Sequence, residues 1–168
     1  MLSVPLAENV SVSIVNVIVQ TSPPAWHLEY EVYNLGSAVI WLVVDESLVL
    51  LHDGSHIELS YSRGKMQPGV QVFGYFNPAA VKVPPGESLR QSVEIIWPCR
   101  LSDIWNAKRE AAPTPGDYDV SVRIGFALTP APNPPEAGED VETPVLRWQK
   151  EALSPTMRIA VPPYASAL

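Results

Sequence analysis

His52-Asp53-Gly54-Ser55-His56 sets two imidazoles and a carboxylate within one pentapeptide. Imidazole nitrogen and carboxylate oxygen are ligands for zinc and its neighbours, and loops often supply such sites. The spacing of the two histidines converges on a helix, but this region reads as strand, turn, strand. On one extended strand the two would stand about 13 Å apart, and only a turn brings them closer. The reading is a solvated hairpin tip with no metal. Cys99 is the one cysteine. It follows Pro98 with no activating neighbour, so it reads as an inert, partly buried thiol rather than a nucleophile. Glu136, Glu139, Asp140 and Glu142 offer oxygen ligands of the kind calcium takes, in a spacing that fits no recognised loop. They read as a solvated acidic run. There is no Gly-x-Ser-x-Gly, no phosphate-cradling glycine loop and no Cys-x-x-Cys. The sequence therefore points away from catalysis, with no catalytic residue and no cofactor expected.

A different chemistry, that of recognition, gathers in Trp97–Tyr118, WPCRLSDIWNAKREAAPTPGDY. Leu101, Ile104, Trp105 and Lys108 follow helical spacing, Ser102 or Asp103 can cap, and Pro113 terminates. The pattern predicts a short helix over Leu101–Ala111. About ten residues are too few to be helical alone, so its apolar face must dock on the rest of the fold. Trp105, Lys108 and Arg109 would then form a basic spot on an acidic protein. Tryptophan and arginine are favoured interface anchors, and the charge suits an acidic partner. The 62–69 turn, with Arg63 and Lys65, is the second candidate for partner binding.

These candidates sit on a chain of 168 residues with a formal net charge of −7. That length favours one domain spanning 1–168 and buries enough surface to fold without a staple. Apolar residues make up 46% and charged residues 17%, which supports a packed core. The acidic balance argues against nucleic acid and against an anionic membrane surface. No apolar run reaches the ~20 residues that span a bilayer. With one cysteine and no basic-then-apolar leader, the cytoplasm is expected, or the periplasm if a leader has been removed.

The strongest periodicity is DYDVSVRIGFAL at 117–128, apolar at every second position from Tyr118 to Leu128. It predicts a strand with one face buried. Further strands are expected at 27–34, 38–45, 48–51, 56–61, 70–75, 80–83, 89–97 and 156–161, punctuated by glycine and proline turns. Near Ile14 the apolar phase switches from even to odd positions, which predicts a bulge or a strand that changes sheets. Residues 129–144 are proline-rich and acidic and read as a long solvated loop. Together these predict an all-β antiparallel sandwich of about 7–9 strands, with one short helix between late strands.

Pro115-Gly116-Asp117-Tyr118 resembles the E–F corner of immunoglobulin-like sandwiches, where a tyrosine bonds back to nearby backbone. Val120 stands where antibody-type domains carry a second cysteine, and Trp41 resembles their strand-C tryptophan. Over roughly 28–124, Val32-Tyr33-Asn34, Pro84-Pro85-Gly86-Glu87-Ser88, Trp97 and Pro115–Tyr118 are similar to bacterial intracellular proteinase-inhibitor-like domains. The resemblance implies a non-enzymatic binding or inhibitory module. Its rival is a carbohydrate-binding module, in which some of the five tryptophans and six tyrosines would stack on sugars.

Overall fold

The computed structural model describes residues 9–44, 48–52, 54–62, 78–103, 108–139 and 143–163. The described residues form β1 (Val10–Thr21), β2 (Pro24–Asn34), β3 (Ile40–Val43), β4 (Leu48–His52), β5 (His56–Ser60), β6 (Ala80–Val83), β7 (Ser88–Ile96), β8 (Cys99–Asp103), β9 (Lys108–Ala111), β10 (Gly116–Ala127), α1 (Thr143–Trp148), β11 (Lys150–Leu153) and β12 (Met157–Val161). Strands β1-β2-β7 make a small antiparallel sheet. The larger sheet runs β6-β3-β10-β5-β4-β8-β9, with β11 and β12 both paired to β10.

The all-β expectation holds at that level, but the expectation of a purely antiparallel sandwich of 7–9 strands is corrected. The described residues hold more strands, and two pairings are parallel, β5 with β10 and β4 with β8. The cause is the β4–β5 hairpin. It lies inside the sheet, and each of its strands meets its outer neighbour in parallel.

The phase switch in β1 is a bulge, not a change of sheet. The β1–β2 register shifts between Ile14 and Asn16, and the extra residue, Val15, is exposed. One hydrophobic core draws on both sheets, with Trp26, Leu28 and Tyr30 from β2 facing Ile57, Leu59, Val122 and Ile124 from β5 and β10. Trp26 packs edge-on against Trp97 at 5.2 Å and Tyr118 at 6.2 Å between ring centroids. Such aromatic pairs add about 0.5–1.5 kcal/mol beyond their burial. The Tyr118 hydroxyl donates to the Thr114 carbonyl at 3.0 Å, the back-bond expected from Pro-Gly-Asp-Tyr. Trp41, likened above to a strand-C tryptophan, does not join the core. It is half-buried beside Ala127, on the face of β3 opposite core residues Ile40 and Leu42.

Buried Asn34 ends β2 and ties the sheets together. Its amide nitrogen donates to the carbonyls of Ala38, at 2.8 Å, and Val83, at 3.0 Å, and its amide oxygen accepts from the Gly36 N–H. An apolar residue here would leave the buried Val83 carbonyl without this partner, a loss of about 1–3 kcal/mol.

The helix expected over Leu101–Ala111 is corrected at both ends, which are strands, while 104–107 lie outside the described residues. Cys99–Asp103 pairs parallel to β4, and Lys108–Ala111 folds back antiparallel on β8. A ten-residue helix without tertiary support is marginal, while β4 has an open edge that must find hydrogen-bond partners. Pairing with β8 satisfies that edge. The described helix, α1, lies instead at the end of the proline-rich tract, with Pro144 and Val145 buried. Residues 129–139 carry no helix or strand, as expected for the loop. The strand expected at 70–75 falls outside the described residues.

Candidate functional site

Two regions carry the residues of interest. The first is the outer edge of the larger sheet. β9 is the last strand there, and among the described residues β8 is its one neighbour. Lys108 stands in register with Ser102, and Arg109 with Leu101. Both candidate basic residues therefore lie on a terminal strand whose far edge has no backbone partner among the described residues. Trp105, Arg63 and Lys65 lie outside the described residues, so of the expected basic spot only the strand positions of Lys108 and Arg109 are described.

The second region escaped sequence reasoning. The face of β10 between its core residues was expected to meet solvent. Instead Ser121 is 0% exposed, and Gly125 is buried. Parallel pairing sets Ser121 beside Glu58 and Asp119 beside His56. Glu58 is only 2% exposed, and an isolated carboxylate there would be strongly disfavoured. Arg123 resolves this. Its Nε donates to Glu58 Oε1 at 2.7 Å, and its Nη1 donates to Glu151 Oε2 at 3.1 Å. These partners, the Glu58 hydrogen bond first, push the Arg123 guanidinium further towards its charged form against the opposing effect of burial. His52 Nε2 lies 3.2 Å from the second Glu58 oxygen. Ser62 donates to Glu151 and accepts from Gln149 Nε2 at 3.0 Å. Gly125 lies beneath this group, and a Cβ there would displace the flexible end of the Gln149 side chain.

The local sequence explains the arrangement. β5 reads His-Ile-Glu-Leu-Ser, so Ile57 and Leu59 enter the core while His56, Glu58 and Ser60 share the other face. Polar alternation on both strands, with a Glu on one and an Arg on the other, was the available signal.

The group has limited reach as chemistry. His56 Nε2 and Ser121 Oγ are 2.8 Å apart, a serine–histidine contact. The hydroxyl is fully buried, so no substrate reaches it in this conformation. Both Glu58 oxygens are occupied. Cys99 is half-buried and unpaired by disulfide, and burial pushes its thiol up to about 11, as an inert thiol requires. Among the described residues no group of three or more histidine, cysteine, aspartate or glutamate side chains is arranged to hold a metal ion. No helix among them is long and apolar enough to cross a membrane.

The chain matches no protein-family model, no curated protein and no solved structure, so no relative supplies a role for any of these residues.

Proposed function

We propose that this chain is a non-enzymatic, immunoglobulin-like binding module that captures a protein partner along the β9 edge. The observation that carries the reading is the terminal position of β9, with Lys108-Arg109 on a strand that has a single neighbour among the described residues. An open edge offers unpaired N–H and C=O groups, and an extended peptide can add to it as a further strand. The two basic residues favour an acidic segment, while the chain's net charge of −7 repels acidic polymers elsewhere. The Tyr118–Thr114 bond supports the immunoglobulin-like part of the reading. A single cysteine suits a reducing compartment, consistent with a cytoplasmic, inhibitor-like role. The carbohydrate reading is weakened because Trp26 and Trp97 are core residues and the Trp148 indole nitrogen donates to the Thr129 carbonyl at 3.0 Å.

The test is partner capture from bacterial lysate by the wild type and by a Trp105→Ala, Arg109→Glu double variant. Arg109→Glu on an edge strand should change stability by no more than about 0.5 kcal/mol. The double variant should fold and lose a partner that the wild type retains, and that retention should weaken as salt rises. Normal capture by the folded variant would remove the assignment.

A further inference from the structure

We propose that His52 and His56 form a two-imidazole site for a divalent d-block cation, Zn2+ or a close neighbour, at the turn end of the β4–β5 hairpin. The two residues are direct cross-strand partners, joined through a turn in which Gly54 takes a φ of 80°. Their ring centroids are 5.1 Å apart. A tetrahedral ion at about 2.0–2.1 Å from each ligating nitrogen, with each ring centre about 1.2 Å further out, places two ring centres about 5.2 Å apart. The rings, tilted 40° to one another, thus have the separation that one shared ion would need, which is also within the range of an ordinary ring contact.

The surrounding hydrogen bonds prepare both rings as ligands. Glu58 Oε1 accepts from Arg123 Nε and its Oε2 faces His52 Nε2 at 3.2 Å, and in the tautomer that donates Nε2–H to that oxygen the Nδ1 of His52 keeps its lone pair. His56 Nε2 faces Ser121 Oγ at 2.8 Å, and that hydroxyl can rotate to accept. Among the described residues neither Nδ1 has a hydrogen-bond partner. A histidine ligand that gives its other ring N–H to a carboxylate or similar acceptor is fixed in tautomer and orientation and made more basic. Glu58 is committed to Arg123 and His52, so it orients a ligand rather than serving as one. Water then completes the coordination, in keeping with the absence of a three-residue cluster among the described residues. The His52 side chain is 30% exposed and His56 is half-buried, which leaves a path for an aqueous ion. Imidazole selects Zn2+, Ni2+ or Cu2+ over Mg2+ and Ca2+.

The experiment is calorimetric titration of the EDTA-treated full chain with ZnCl2, with CaCl2 and MgCl2 as controls. The expected result is one Zn2+ per chain, at least tenfold weaker binding in His52→Asn and in His56→Asn, and no change in His27→Asn. Ca2+ and Mg2+ should give no saturable heat. Absence of saturable Zn2+ binding, or binding undiminished in either hairpin variant, would overturn the site. Should a variant fail to fold, histidine ring resonances of the wild type decide. Zn2+ should move the signals of His52 and His56 and leave His27, and movement of all three or of none rejects the proposal.

Discussion

β10 and β9 belong to the same sheet and are built on opposite terms. β10 is twelve residues long and pairs with β3, β5, β11 and β12. Backbone bonds from Tyr61 to Arg123 and from Ser154 to Val122 fill the gaps between those neighbours. One of its faces is the apolar core, and the other is anchored by the Arg123–Glu58 pair. β9 has four residues and one neighbour among the described residues. The centre leaves almost nothing for a partner to bond, whereas among the described residues the far edge of β9 has no backbone partner. Stability concentrates where strands are paired on both sides, and recognition becomes possible where they are not.

The largest effect that tests this contrast is at the centre. Val122 is fully buried, so Val122→Asp places an unpaired charge in the core and should remove more than about 4 kcal/mol, abolishing cooperative melting. An unchanged melting temperature would break the assignment of β10 as the central strand. Next comes its second face. Arg123→Met leaves Glu58 buried with only His52 beside it, and removing one partner of a buried pair is expected to cost about 3 kcal/mol. Adding Glu58→Gln should recover part of that loss, and strict additivity in the double-mutant cycle would show that the two are not coupled.

The edge gives a gentler readout at Cys99, where β8 begins. Burial raises its thiol from 9.0 to about 11, which favours the neutral form in the folded chain. The sign follows directly. Stability from this group is complete below about pH 9 and is lost as pH rises from there through about 11. Alkylation at pH 8 should then run tens of times slower in the folded chain than in urea, roughly as the thiolate fractions differ. Equal rates would mean that the start of β8 is not packed as described.

The centre was legible and the edge was not, for physical reasons. The period-two pattern at 117–128 persists long enough to exclude a helix, and Pro-Gly-Asp-Tyr marks its corner. The β1 bulge could be read because a bulge moves every later side chain to the other face. In 99–111 the apolar spacing suits a short helix as well as it suits anything else. The outcome was decided by the open edge of β4, a non-local fact. Lys150–Leu153 reads Lys-Glu-Ala-Leu, with no β-branched or aromatic residue to mark a strand, so β11 was missed. The Glu58–Arg123 pair joins residues 65 positions apart. Each looked like an ordinary solvent-facing residue on its own strand, and only the parallel pairing of β5 with β10 brings them together and buries them.

Amide hydrogen exchange across the full chain, free and partner-bound, tests the binding edge most directly. Free β9 amides that point away from β8 should exchange rapidly, while the β10 amides remain protected to the global limit. On partner binding, new protection should appear in Lys108–Ala111, with β10 unchanged. Protection that develops elsewhere on the surface, with β9 exchanging as fast as before, would contradict the claim that this edge is where the protein binds.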